Sequence, residues 1–344
     1  MTRVATIRRR PLLAAAFGLP LATAVPVARA QPAPPPLAGG RPIRVVVPFP
    51  PGGAIDILGR LLAERLSPAL GGQAVVVENR AGAGGLLGAD AVAKGSNDGS
   101  VLGVVGITTL AAFPYLYRSL PFDPARDFTP LTQITSGALL CVANAGTART
   151  RGWTDFRALV AWARANPEGV RMGSSGTGTS SHLVVEAVNA ATGARILHVP
   201  YRGGGPAITD LLAGTIDIMF DVTPALVPHV EAGRFVALAV SSGARTGFLP
   251  DVPGLAEFAD LGLGELDVVT SNLLLLPANT PEPVVARLFA AVREAAASPG
   301  YAERLRPLGY DTVLSDSPAA LAAMVERERP RWRRLVEISG ARLD

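Results

Sequence analysis

Short β-branched runs in this chain repeatedly break at a glycine-rich turn and resume as a helix. Ile43–Phe49 shows no alternation of apolar and polar residues, as a strand buried on both faces requires. A Pro/Gly turn follows, then Ile55, Leu58, Leu61, Leu62 and Leu66 at helical spacing. Ala74–Glu78 repeats the strand signal before a Gly-rich turn and the helix Leu86–Lys94, and Val101–Val105 is a third strand. The pattern restarts with strand Ala138–Val142, helix Thr154–Ala165, strand Val170–Gly173 and helix Ser180–Ala191. Strand Ile196–Val199, a helix starting at Pro206 behind a Gly205 cap, and strands Asp217–Asp221 and Ala237–Val240 complete this second set. Leu273–Leu276 then leads into a helix with Thr280 as cap and Pro281 first, and the last helix, Ala319–Ile338, carries Pro330, expected to kink it. Strand–turn–helix units in series call for a parallel sheet covered by helices. The fold class is therefore α/β, in two lobes with a ligand cleft between them. Lobe 1 is expected to comprise 41–137 plus 271–344 and lobe 2 to comprise 138–270, with crossings near Thr135–Cys141 and Thr270–Pro277.

A chain of 344 residues, 49% hydrophobic and 17% charged, has enough apolar mass for two cores and is not disordered. Its net charge of +4 is concentrated at one end. Residues 1–30 hold five arginines and no acid, so the remainder carries about −1, and no nucleic-acid partner is expected. Arg8-Arg9-Arg10, an apolar run to Val27 and the small-x-small site Ala28-Arg29-Ala30 read as a signal peptide over 1–30. Export by the general or the twin-arginine route leaves a mature chain starting at Gln31, outside the cytoplasm. Residues 31–40 (QPAPPPLAGG) read as a flexible leader. The single cysteine, Cys141, forms no internal disulfide and reads as a small buried apolar residue.

Two turns carry the binding chemistry. Pro48–Asp56 ends a strand, stiffens with two prolines, and reaches a helix through Gly52 and Gly53. Backbone comes close to a ligand there, and the helix start offers free N–H groups and its positive dipole end. Asp56 falls in the first helical turn, where it complements the dipole or meets a ligand. Gly173–His182 repeats the arrangement with Ser174, Ser175, Gly176, Thr177, Gly178 and Thr179, whose hydroxyls donate to a carboxylate. His182 lies in the next helical turn, as a structural residue or a ligand contact. Neither turn contains Lys or Arg. An anion held there is compensated by amides, hydroxyls and helix ends. Loops after other strands, with Asn79, Gly82, Thr108, Tyr201 and Asp221, line the same crevice.

Enzyme signatures fail in detail. Gly82-Ala83-Gly84-Gly85 resembles a dinucleotide turn, but Leu87 occupies the place of the third glycine. Ser174 and Ser175 do not make G-x-S-x-G, since Thr177 replaces the second glycine. His182, His198 and His229 lack metal-ligand spacing, so neither metal nor cofactor is expected.

The motifs PFPPGGAID (48–56), VVVENRAGAGG (75–85), SSGTGTSSHL (174–183), HVPYRGGGPAITDLLAGTID (198–217), PDVPGLAEF (250–258) and PANTPEPVV (277–285) occur in order. With them the chain resembles the substrate-binding proteins of tripartite tricarboxylate transporters, also called Bug receptors. The resemblance implies a periplasmic, type II "Venus flytrap" that captures an organic acid through backbone amides and two ordered waters. It implies a partner pair of small and large membrane permease subunits, a monomeric receptor and no catalysis. By matching positions it implies contact roles for Phe49, Gly52, Gly53, Asp56, Asn79, Ser174, Ser175, Gly176, Thr177, Thr179, His182 and Asp221. The chain departs from the family at Gly254, usually Thr, at Asn97–Val101, and in lacking a tryptophan over Val268–Leu273. An enzyme on the same scaffold, such as a hydrolase, and a sensory receptor are the alternatives. The sequence does not name the acid.

Overall fold

The computed structural model describes Thr2 and residues 36–298, 300–306 and 310–344. Apart from Thr2, the segment 1–30 read as a signal peptide and the first half of the leader lie outside the described residues. The end of the leader is not a free tether. Leu37 is buried, and the Gln73 side chain accepts from its N–H at 3.0 Å and donates to its carbonyl at 2.8 Å. Satisfying both backbone groups of one residue fixes a segment that composition alone reads as loose.

The first α/β set runs β1 (Ile43–Val47), α1 (Ala54–Ala69), β2 (Val75–Asn79), α2 (Leu86–Ala93) and β3 (Val101–Gly106). Two single turns follow, α3 (Thr108–Ala111) and α4 (Phe113–Leu116). β1 pairs in parallel with β2 and β3, so the loops after all three emerge at one end. Apolar residues at helical spacing seat α1 on this sheet through Leu58, Leu61, Leu62 and Leu66, all nearly inaccessible.

β4 (Phe128–Asn144) joins the two sets. The second contains α5 (Ala145–Arg151), α6 (Phe156–Ala165), β5 (Arg171–Ser174), α7 (Ser180–Thr192), β6 (Leu197–Pro200), α8 (Gly204–Ala213), β7 (Ile218–Val222), α9 (Val227–Glu231) and β8 (Phe235–Val240). β5 pairs in parallel with β6 and β7. The chain returns through β9 (Val269–Pro277), α10 (Glu282–Ala297), α11 (Tyr301–Leu305), β10 (Asp311–Thr312) and α12 (Pro318–Ser339). Strand order is β2-β1-β3-β9-β4-β7-β5-β6, with β8 and β10 also on β4. All pairings of β4 and β9 are antiparallel, so the sheet is mixed rather than wholly parallel.

β4 is far longer than the apolar core Ala138–Val142 that its sequence advertises. Its first part is polar in pattern yet buried, because its side chains find partners on β9. Gln133 donates to Ser271 Oγ at 3.0 Å, and Asn272 donates to Thr135 Oγ1 at 2.8 Å. Two helix starts also differ from expectation. α8 begins at Gly204 behind Gly203, and Pro206 is tolerated in the first turn, where its missing N–H has no acceptor anyway. Pro281 caps α10, while Thr280 Oγ1 donates back to the Pro277 carbonyl at 2.7 Å. α12 starts at a Ser317 side chain that accepts from Ala320 N–H and continues through Pro330. It packs on α3, β4 and α7, and so touches both α/β sets.

Trp332 is the buried anchor of α12. Trp332→Ala is expected to lower unfolding free energy by about 3–5 kcal/mol in urea titration.

Candidate functional site

The loops leaving the parallel strands of both sets meet around one cavity. Its wall includes Pro48, Phe49, Gly53, Ala54 and Ile55 after β1. Gly84 and Gly85 follow β2, Gly106 ends β3, and Thr108 and Thr109 follow it. The second set supplies Ser175, Thr179, Ser180, Gly204, Asp221, Val222 and Ala225, and β9 supplies Thr270 and Asn272. The cavity measures about 70 Å³. That is room for roughly five waters at ~10–15 Å³ each, which suits a carboxyl group with bridging water. An adjoining chamber of about 380 Å³ shares Phe49, Gly84, Gly85 and Ser175 and adds Gly82, Tyr117, Gly176, Thr177, Tyr201 and Arg202.

Helix starts dominate the inner wall. Ala54 and Ile55 open α1, Ser180 opens α7, and Gly204 opens α8. The first amides of a helix have no intrahelical acceptor, and they carry its positive end. Among the described residues lining the inner cavity there is no Lys, Arg or His, and Asp221 is the one ionisable group. An anion there is met by amides and by the hydroxyls of Thr108, Thr109, Ser175, Ser180 and Thr270, while Thr179 Oγ1 donates to the Gly176 carbonyl at 2.7 Å.

Several residues expected at the ligand instead hold the loops in shape. Asp56 is buried under the first turn. Its Oδ2 accepts from Gly52 N–H and Arg60 Nε, both at 2.9 Å, and its Oδ1 accepts from Asn79 Nδ2 at 2.8 Å. Asn79 Nδ2 also donates to the Phe49 carbonyl at 2.9 Å. Burial alone would raise the Asp56 pKa, but these donors outweigh it and hold the carboxyl below its ordinary range.

The second turn has its own brace. Ser174 Oγ is 2.6 Å from His198 Nε2 and accepts from Gly176 N–H at 3.2 Å. His182 Nδ1 accepts from Gly178 N–H at 3.2 Å, and its ring stacks on His198 with centroids 4.1 Å apart. Gly52, Asp56, Asn79, Ser174, Gly178 and His182 are therefore neighbours of the cavities, while Phe49, Gly53, Gly82, Thr108, Ser175, Gly176, Thr177, Thr179, Tyr201 and Asp221 line them. Thr270 and Asn272 were not anticipated. The signal for them is the polar step Thr270-Ser271-Asn272 opening an otherwise apolar strand.

His182, Glu186 and His198 bring ligand-type atoms within 4.8 Å of one another. The Gly178 amide on Nδ1 leaves the proton of a neutral His182 on Nε2, the atom facing Glu186 at 4.0 Å. The stacked rings lie in near-parallel planes, 22° apart. The cluster is built as a neutral brace.

The two sets touch at a glycine seam. A Cβ on Gly84 would stand 2.1 Å from the Thr177 carbonyl oxygen, so only glycine permits this approach. Gly84 also has φ +61°, where a side chain is strained.

An α/β fold whose loops close two strand sets over an anion pocket defines a solute-binding protein. The family model of the tripartite tricarboxylate transporter family receptors matches residues 58–341, and the chain belongs to that family. It is 38% identical over 97% of its length to the UPF0065 protein in the tcbD-tcbE intergenic region of Pseudomonas sp. (strain P51), covering 95% of that relative. The structure of periplasmic binding protein BugD superposes with a TM-score of 0.81 at 31% identity, over 88% of this chain and 99% of that one. R. palustris Rpa4515 with adipate superposes with a TM-score of 0.81 at 32% identity and the same coverage. Among the described residues no helix is long and apolar enough to cross a membrane.

Two predictions follow from this geometry. Gly84→Ala is expected to weaken ligand binding at least tenfold by calorimetry while lowering stability by only about 1 kcal/mol. Burial pushes His182 down to about 4, and burial with its neighbour His182 pushes His198 down to about 3. An unfolded His titrates near ~6.5, so their stabilisation is complete above that pH and drains away as pH falls toward 4 and then 3. His198→Asn should therefore give a shallower fall in unfolding free energy between about pH 6.5 and 4.

Proposed function

We propose that this chain is an extracytoplasmic receptor that captures a small organic acid and delivers it to a pair of small and large permease subunits. The observation that carries the reading is the inner cavity, walled by three helix starts and six hydroxyl side chains with no cation on its described wall. One carboxylate is bound in the inner cavity, and the remainder of the acid extends into the outer chamber. Net hydrogen bonds to a charged group contribute about 1.5–3 kcal/mol each, and a micromolar complex needs ~8 kcal/mol. A handful of donors from both sides is sufficient.

Lobes of 41–137 plus 271–344 and of 138–270 close over the acid, with the Gly84–Thr177 seam as the meeting line. The reading as capture without turnover is supported by Ser174. Its hydroxyl is fully buried and engaged by His198 and the Gly176 amide, which leaves it no approach to a substrate. The signal-like segment 1–30 and the family's periplasmic BugD relative support residence in the periplasm. N-terminal sequencing of the exported protein should return Gln31.

Calorimetry and thermal shift with adipate, succinate and malate test the reading. At least one acid is expected to bind one per chain, raise the melting temperature and be recovered unchanged. Ser175→Ala should weaken that complex by about 1–3 kcal/mol. Conversion of the acid would favour an enzyme, and no saturable binding of any carboxylate would end the proposal.

A further inference from the structure

Asp221 is the one carboxyl on the inner wall, and it lacks what buried carboxylates normally have. It is 4% exposed. Its Oδ1 accepts from Val222 N–H at 2.7 Å, while its buried Oδ2 has no hydrogen-bond partner. That oxygen is turned toward Gly204, where a Cβ would lie only 2.6 Å away, so the glycine leaves room beside it.

The elements packed on β7 offer no counter-ion. Arg171 of β5 is bound to Asp217, and Tyr201 before α8 donates to Asp210. On α7, His182 is neutral and engaged with Gly178 N–H, and Glu186 is acidic. Cys141 of β4 is a buried thiol whose pKa is pushed up by desolvation. Tyr310 is a buried phenol kept neutral first by desolvation and then by negative charge at Asp221. An ionised carboxylate there would cost several kcal/mol, with only the Val222 amide and the start of α8 to offset it and no cation. A neutral acid instead turns Oδ2 into an O–H donor beside Gly204, and both residues line the ligand cavity.

We propose that Asp221 determines specificity as a neutral acid, donating Oδ2–H to the ligand carboxylate, so that capture takes up a proton. This rests on the reading of the cleft as a carboxylate site. The bond formed is a charge-assisted O–H···O⁻ contact; the proton stays on Asp221 and comes from solvent whenever the free receptor is ionised. Burial pushes the Asp221 pKa up to about 7, so the free receptor exchanges this proton with solvent near neutral pH. Both stacked histidines titrate far below that pH, and adipate itself is fully ionised. Discrimination follows: an acid that brings a second anion toward Asp221 is accepted only with a proton, and an acid bearing an ammonium there would be favoured by the opposite state.

The test is adipate and succinate calorimetry on the intact mature protein from pH 6 to 9, in paired buffers of different ionisation enthalpy. The dissociation constant is expected to rise toward about tenfold per pH unit above pH 7, with close to one proton taken up per ligand at pH 8. Asp221→Asn, which keeps a donor and cannot titrate, should flatten the profile and abolish uptake. The wild-type buffer pairs decide the matter by themselves if that variant fails to fold. Binding that is flat with pH and proton-neutral overturns the inference while leaving the receptor reading intact. Tighter binding at higher pH, with proton release, overturns it in favour of an ammonium partner. Absence of carboxylate binding even at pH 5.5 overturns both.

Discussion

Backbone amides at helix starts, aimed into a small enclosed cavity, are the interaction on which this molecule depends. Each helix brings only a partial charge, and none of the three alone would hold an anion against water. Their convergence requires that β1 in one set and β5 and β6 in the other run in opposite senses and end facing each other, which parallel pairing within each set and the antiparallel β4 and β9 between them secure. The long antiparallel β4 and β9 then bring the two sets together. The mixed sheet is therefore a consequence of the site: parallel strands make the amide cradles, and antiparallel strands join them.

Two aspartates near this cavity are shifted in opposite directions, and their surroundings explain why. Asp56 is packed among Gly52 N–H, Asn79 and Arg60, so ionisation is favoured and the carboxylate serves as a clamp under the first turn. Asp221 has one amide and no cation, so burial dominates. Placing the clamp outside the cavity and the neutral acid inside it keeps fixed negative charge away from the bound anion.

The histidine brace plays for the second turn the part that Asp56 plays for the first. Gly176 and Gly178 donate to Ser174 Oγ and His182 Nδ1, so the loop's amides are held by side chains from its own lobe. Pre-organisation of this kind lowers the ordering cost of binding. The glycine seam at Gly84 and Thr177 then lets the halves approach at backbone distance.

Much of this was legible in the residues. Apolar runs broken by glycine turns specified the α/β class and most elements, because local periodicity and turn chemistry need no distant partner. The two ligand turns were equally visible, and the family motifs marked them. The buried first part of β4 was not, since Gln133 and Thr135 look polar until Ser271 and Asn272 are placed beside them. Nor was the division of labour within the turns. Phe49, Ser175 and Asp221 reach the cavity while Asp56, Asn79 and His182 support it. Sequence set which residues gather at each turn. Which of them meet solvent or ligand depends on side-chain direction and on contacts between segments far apart in the chain, and those exist only in the folded molecule.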